Sequence, residues 1–119
     1  MPFFHFSQNN SGGSFDYSER DGITHHVVIE AADADGANVV AASKGLYFDG
    51  LAAGADCPCC GDRWYQASGK GDERPSVYGE PLGEKTGNFF SSLMPLGREI
   101  VVHYADGRTA WFNPDNTPA

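Results

Sequence analysis

The stretch 23–45 constrains the fold most, because it places a strand directly before a capped helix. Residues 23–30 are β-branched at most of their apolar positions, which predicts a strand. Asp33 is a suitable N-cap and Gly45 a suitable C-terminal stop for a helix over 34–44. Lys44 in the last turn complements the helix dipole. The sequence therefore predicts one principal helix that follows a strand of a sheet.

Alternation along the 23–30 strand predicts where its side chains point, since successive residues of a strand face opposite sides. The two faces are Ile23, His25, Val27 and Ile29, and Thr24, His26, Val28 and Glu30. We expect the first face to meet the core, so that His25 points toward it. The neighbours His25 and His26 are then expected on opposite faces, which argues against their acting as a same-face pair.

Further extended segments lie on both sides of this unit. Residues 3–7 and 14–18 are short aromatic-rich runs around the polar turn 8–13, which predicts that the two runs pair as a hairpin. Residues 46–50 and 63–66 are also predicted to be extended.

The C-terminal segment 99–112 is predicted to form a second hairpin. Asp106-Gly107 is a signal for a two-residue type I′ turn. In that register Val102 lies opposite Trp111.

Together these segments predict an α+β fold, an antiparallel sheet of about five or six strands with one principal helix packed on one face. The length of 119 residues fits a single domain over 1–113, and the tail 114–119 is expected to fray. Hydrophobic residues make up 40 % of the chain, which is enough apolar surface for a folded protein to be expected.

Charge and hydropathy argue against nucleic acids and membranes as partners. The formal net charge is -8 at pH 7, so a polyanion would be repelled and direct nucleic-acid binding is not expected. Residues 1–62 carry nine acidic residues against two basic ones. No apolar run approaches the roughly 20 residues that span a bilayer, and the N-terminus lacks the pattern of a signal peptide. We expect a cytoplasmic protein without membrane contact.

The three cysteines are concentrated in residues 57–60. Cys57-Pro58-Cys59-Cys60-Gly61 has the form of a zinc knuckle, in which Cys57 and Cys60 would hold one Zn²⁺. Two further ligands would have to come from elsewhere, and the candidates are His5, His25, His26, His103, Asp56 and Asp62. Two alternatives stay open: a turn with buried thiols and no metal, and a redox pair.

The residues after the cysteines fit a small anionic ligand. Arg63 can fork onto a phosphate or carboxylate, and Trp64 and Tyr65 can stack on a base. Backbone N–H groups of the turn 9–13 can surround an anion, and acidic side chains can hold ribose hydroxyls. The predicted ligand-binding residues are Asn9, Asn10, Ser11, Gly12, Gly13, Asp49, Asp62, Arg63 and Trp64, and no catalytic residue is predicted. The alternative is that Asp62 and Arg63 form an exposed pair and Trp64 belongs to the core.

Several motifs together resemble a family of small, uncharacterised proteins of tailed bacteriophages. They lie in the runs 7–15, 22–25, 45–50, 56–64 and 101–108, and they include Asn9-Asn10-Ser11-Gly12-Gly13 and Cys59-Cys60-Gly61-Asp62-Arg63-Trp64. The resemblance implies an accessory protein made in the cytoplasm of an infected bacterial host.

Small accessory proteins of phages often counter host defence, so the resemblance implies a non-enzymatic protein that sequesters a nucleotide-like signal molecule. One alternative is an acidic protein inhibitor or nucleic-acid mimic that binds a host protein. A further alternative is a small zinc-supported protein or hydrolase. A homodimer would allow a ligand site between two subunits.

Overall fold

The residues that the computed structural model describes are 1–8, 17–49, 62–78, 80–83, 99–113 and 117–119, and they form one helix, a four-stranded sheet and a two-stranded ribbon. The elements are β1 (Phe3–Ser7), β2 (His26–Glu30), α1 (Ala34–Lys44), β3 (Ser76–Val77), β4 (Glu80–Pro81), β5 (Ile100–His103) and β6 (Thr109–Phe112). The sheet has the order β1-β2-β5-β6, and β3 pairs with β4 in the ribbon.

The sheet is mixed, because its two central strands run parallel. His26 lies opposite Ile100 and Ile29 opposite His103, whereas β1 and β6 are antiparallel to their neighbours. The predicted α+β class is confirmed, but the sheet is not purely antiparallel, and its described strands number four instead of five or six. Parallel strands need a long crossover connection, here 31–99, and no local sequence pattern reports such a pairing.

Helix α1 has the predicted bounds and caps. The Asp33 carboxylate accepts a hydrogen bond from the Gly36 N–H at 2.7 Å, which satisfies one of the free donors of the first turn. At the other end Gly45 adopts the left-handed conformation with φ 115°, and its N–H donates to carbonyls of the last turn. Both caps are local features, which explains why the sequence located this helix correctly.

Both faces of the sheet are covered. The side of the sheet against α1 is called the helix face. The buried cluster on this side consists of residues from the strands, the helix and a loop and includes Phe4, Phe6, Val27, Ile29, Ala37, Ala41, Trp64 and Val101. The face toward the ribbon, called the ribbon face, includes Phe3, Val28, Val77, Leu82, Ile100 and Val102. Strands β2 and β5 are therefore buried on both sides, in agreement with their nearly continuous apolar sequences.

Strand β1 has a different partner from the one predicted. It pairs antiparallel with β2, from Phe3 opposite Glu30 to Ser7 opposite His26. Of the predicted partner 14–18, residues 14–16 lie outside the described residues, and Ser18 bridges to Ile23. Burial of aromatic side chains of β1 against the central sheet favours this long-range pairing over a local hairpin.

The β5–β6 hairpin exists, but its register differs by one residue from the predicted one. Val101 lies opposite Trp111, and the Tyr104 N–H donates to the Arg108 carbonyl at 2.9 Å. The connection thus has three residues, and its last one, Gly107, has φ 94°. A three-residue loop that ends in a left-handed glycine is the common alternative to a two-residue turn.

The other extended predictions are not strands in the structure. Residues 46–49 and 62–67 are irregular, although Leu46 and Trp64 are buried. Among the described residues, no helix has both the length and the apolar composition that crossing a bilayer requires.

Gly22 and His103 make a close contact that yields a test of the packing. The His103 ring nitrogen Nε2 lies 2.8 Å from the Gly22 carbonyl oxygen, and Gly22 has φ 71°. A Cβ on Gly22 would collide with the His103 imidazole, whereas Gly69, at φ 80°, has no atom within 4 Å of such a Cβ.

We predict that Gly22→Ala lowers the free energy of unfolding by about 2–4 kcal/mol, because the clash adds to a backbone cost of about 1–2 kcal/mol. Gly69→Ala, the matched control, has the backbone cost alone. Urea unfolding measures both variants. Equal losses would show that the contact with His103 does not constrain the fold.

Candidate functional site

A buried arginine joins three segments that are distant in the sequence. Arg63 is 7 % exposed, and its Nη1 donates to the Gln8 side-chain oxygen at 3.0 Å. Its Nε donates to the Tyr47 hydroxyl at 2.9 Å, while the Gln8 amide nitrogen donates to the Thr24 carbonyl at 3.2 Å. We call these four residues the Arg63 corner. The hydrogen bonds orient the guanidinium within the fold.

The Arg63 corner lies beside several of the predicted ligand-binding residues. Gln8 directly precedes the predicted turn, of which Asn9, Asn10, Ser11, Gly12 and Gly13 lie outside the described residues. Asp49 is two residues from Tyr47 and is exposed, and Asp62 is half-buried next to Arg63. The structure therefore brings together the chain segments that carry Asp49, Asp62 and Arg63.

Trp64 has a different role from the predicted one. Its side chain is 1 % exposed and belongs to the cluster on the helix face. A buried indole contributes a large apolar area to the core, so it is not presented to a ligand as a stacking surface. The exposed aromatic ring of this segment is Tyr65, which is 57 % exposed.

Three histidines and a tyrosine form a second polar group on the ribbon face. The rings of His25 and His26 stack with centroids 4.2 Å apart, and His5 Nε2 lies 2.7 Å from His26 Nδ1. The Tyr78 ring meets His5 and His26 edge-on, with centroids at 5.0 and 5.4 Å. We call these four residues the histidine cluster.

The histidine cluster contradicts the expectation that His25 and His26 lie apart. Strand β2 begins at His26, and His25 lies in a bend just before it, so strand alternation does not apply between the two. His25 is half-buried and does not point into the apolar core. Instead its Nδ1 lies 3.3 Å from Oε2 of Glu99, whose side chain has no exposed surface.

Sequence reasoning missed Glu99 as a partner of His25. The parallel register places His26 opposite Ile100, so the residues that precede the two strands also become neighbours. An acidic residue directly before an apolar run was visible in the sequence, but its partner follows from the parallel pairing alone. A carboxyl group buried this deeply requires a hydrogen-bond partner, because an unsatisfied polar group in the interior is costly.

Burial keeps the histidine cluster neutral. It lowers the pKa of His5 to about 4 and that of His26 to about 2, and the nearby His25 adds to both shifts. Burial also lowers the pKa of His25, an effect that the hydrogen bond from His25 to the Glu99 carboxylate opposes. At neutral pH the His5–His26 contact is therefore a hydrogen bond between two neutral imidazoles.

Tyr78 packs on His5 and His26 of the cluster, and its backbone is strained. It has φ 52° at the start of the connection between β3 and β4, an unusual conformation for a bulky side chain. Its side chain is largely exposed, and its hydroxyl lies 3.0 Å from the Ser7 hydroxyl. Such strain persists where surrounding contacts fix the residue, here two ring contacts and one hydrogen bond.

The described residues contain no cluster of metal ligands. Within the described residues, no group of three or more histidine, cysteine, aspartate or glutamate side chains is arranged to hold a metal ion. The predicted zinc ligands Cys57 and Cys60 lie outside these residues. Three of the candidates to complete that zinc site, His5, His25 and His26, lie together beside Tyr78.

We predict that the free energy of unfolding falls as the pH is lowered from about 7 to about 4. The pKa of each of these histidines in the folded protein lies below the usual histidine value of about 6.5, so the unfolded chain binds more protons and stability rises with pH. Each histidine that stays neutral contributes at most about 1.4 kcal/mol per pH unit below the unfolded pKa.

The variant His5→Gln removes one such group and should reduce this slope, whereas the exposed substitution Lys70→Gln should leave it unchanged. Urea unfolding at successive pH values gives the free energy of unfolding of the parent and of both variants. An equal slope in His5→Gln and the parent would contradict the assignment.

Almost the whole chain matches one protein family. A family model described as a domain of unknown function, DUF7296, matches residues 1–118. No curated protein and no solved structure shows significant similarity to the sequence. Because the match spans far more than half of the chain, this protein belongs to the DUF7296 family, a domain of unknown function.

Proposed function

We propose that this protein is a bacteriophage accessory protein that counters host defence by sequestering a nucleotide-like signal molecule in the host cytoplasm. One observation carries the proposal: the hydrogen bond between Arg63 and Gln8 links two segments separated by 55 residues. Gln8 directly precedes the polar run 9–13 in the sequence, and the positive charge of Arg63 is to attract the anionic part of the ligand. The phage context comes from the resemblance of the sequence motifs.

The chemistry around the Arg63 corner suits a nucleotide. The positive charge of the buried Arg63 would attract an anionic group, and a run rich in asparagine and glycine carries N–H groups that can bind one. Asp49 and Asp62 supply acceptors for ribose hydroxyls. Tyr65, instead of the buried Trp64, supplies the aromatic surface on which a base can stack.

Tyr78 provides a matched control for Tyr65. Both tyrosines are exposed, by 57 % for Tyr65 and 69 % for Tyr78. Tyr78 contacts Ser7, His5 and His26, whereas Tyr65 is two residues from Arg63 in the sequence. A substitution of Tyr65 should therefore affect a ligand at the Arg63 corner, and one of Tyr78 should not.

We predict that one or more members of a panel of cyclic nucleotides and ADP-ribose derivatives raise the melting temperature by several degrees. A ligand at about 100 times its Kd stabilises the folded state by about 2.7 kcal/mol. Thermal unfolding identifies the ligand, and titration calorimetry then measures its Kd. The absence of any shift across the panel would refute the proposal.

For the identified ligand, Tyr65→Ala is expected to weaken binding about tenfold, as is the double variant Asn9→Ala and Asn10→Ala, since each removes about 1.4 kcal/mol of contacts. Tyr78→Ala is expected to bind as tightly as the parent. Equal losses in Tyr65→Ala and Tyr78→Ala would place the ligand elsewhere.

A further inference from the structure

Strand β1 is an edge strand of the sheet, and its hydrogen-bonding pattern shows which backbone groups face outward. The Pro2 carbonyl accepts from the Ala31 N–H, and the Gln8 N–H donates to the His25 carbonyl. In an antiparallel ladder alternate residues bond the same neighbour. Residues 2, 4, 6 and 8 thus bond β2, and the N–H and C=O groups of residues 3, 5 and 7 point away from the sheet.

A neighbouring segment covers the beginning of this outer edge. Phe3 and Asp72 exchange two backbone hydrogen bonds of 2.8 Å. Gly71 has φ 73°, and a Cβ at this position would lie 2.8 Å from the Phe3 carbonyl oxygen, so the segment passes close to β1 here. Among the described residues, none bonds to the outward backbone groups of His5 and Ser7.

A groove of about 390 Å³ lies along this edge, between Phe3–His5 on one side and Gln66–Ser68 on the other. The far wall is attached to helix α1, because Ala67 makes two backbone hydrogen bonds with the Asn38 side chain, at 2.7 and 3.1 Å. This attachment keeps Gln66–Ser68 from closing onto β1 as a further strand. The groove therefore lies beside a strand edge that no described residue pairs beyond Phe3.

We propose that this groove binds an extended, basic segment of another protein, which adds a strand to the sheet by pairing with His5 and Ser7. Exposed strand edges are recognised in this way, with main-chain hydrogen bonds giving affinity and alternate side chains giving specificity. The His5 and Ser7 side chains need not move, since their contacts with His26 and Tyr78 lie on the ribbon face.

The negative charge of the protein favours a basic occupant. The chain has a formal net charge of -8, and among the described residues that line the groove the one acidic side chain is Asp72, with no lysine or arginine among them. A basic segment is attracted by this field, whereas a second copy of the chain would bring another -8 to the edge. The groove runs beside the backbone of β1 at Phe3–His5. An extended segment can form main-chain hydrogen bonds with a strand edge, whereas a helix uses its main-chain groups internally.

Amide hydrogen exchange tests whether the edge is open. In the free protein the Phe4 and Phe6 amides, which bond β2, should exchange at least about tenfold more slowly than those of His5 and Ser7. Slow exchange at all four positions would mean that the edge is already covered, and would overturn the proposal.

Binding is tested with an eight-residue peptide that alternates lysine and valine. We expect it to protect the His5 and Ser7 amides from exchange and to bind at least about tenfold more tightly than the peptide with glutamate in place of lysine. Two further peptides carry N-methyl groups on one or the other alternate set of residues. One of them should lose binding and the other keep it, because only one set faces β1.

Ser7→Pro and Ser7→Ala form a matched pair on the protein. Both lose the hydrogen bond to Tyr78, but proline alone removes the outward N–H, which does not bond β2. We expect Ser7→Pro to weaken peptide binding about tenfold relative to Ser7→Ala. If Ser7→Pro fails to fold, as judged by circular dichroism, the N-methylated peptides decide the question.

Other outcomes overturn the proposal. No binding of the lysine peptide at about 1 mM would exclude a basic extended ligand. Equal binding of both N-methylated peptides would show that no strand is added. A concentration-dependent dimer in sedimentation experiments, disrupted by Ser7→Pro and not by Ser7→Ala, would assign the edge to a second copy of the chain instead.

Discussion

The parallel pairing of β2 with β5 is the constraint on which the other described elements depend. Val27, Val28 and Ile29 have no exposed surface, and neither do Ile100 and Val101. Each such side chain stabilises the fold by about 1.5–3 kcal/mol through removal of apolar area from water. Strands buried on both faces need cover on both, so helix α1 occupies one side and the β3–β4 ribbon the other. The long connection between the two strands supplies both covers.

The same pairing gathers polar groups at one end of the sheet. In a parallel pair the residues that precede both strands lie together, which places Glu99 beside His25. Antiparallel β1 brings its last residue to the same end, where the Gln8 N–H donates to the His25 carbonyl. The Arg63 corner and the histidine cluster are therefore consequences of strand direction, although they lie on opposite faces.

Features that local interactions determine could be predicted from the sequence. Features that depend on contacts between distant segments could not. Helix α1 was located correctly because its caps, Asp33 and Gly45, act within a few residues. The partner of β1 depends on burial across the chain, and the same burial removes Trp64 from the predicted ligand site. The alternation rule failed at His25 for a smaller reason: the strand starts at His26, three residues after its predicted start, and the His25 and His26 rings stack.

Strand β1 then contributes three distinct surfaces through the geometry of an extended chain. Its last residues alternate, so Ser7 contacts Tyr78 on the ribbon face, while Gln8 just beyond the strand contacts Arg63 on the other. The outward backbone of His5 and Ser7 forms the third surface, perpendicular to both. A ligand at the Arg63 corner and a strand at the edge would therefore meet different atoms of the same short segment. Because all three surfaces share β1, movement of this strand would couple them.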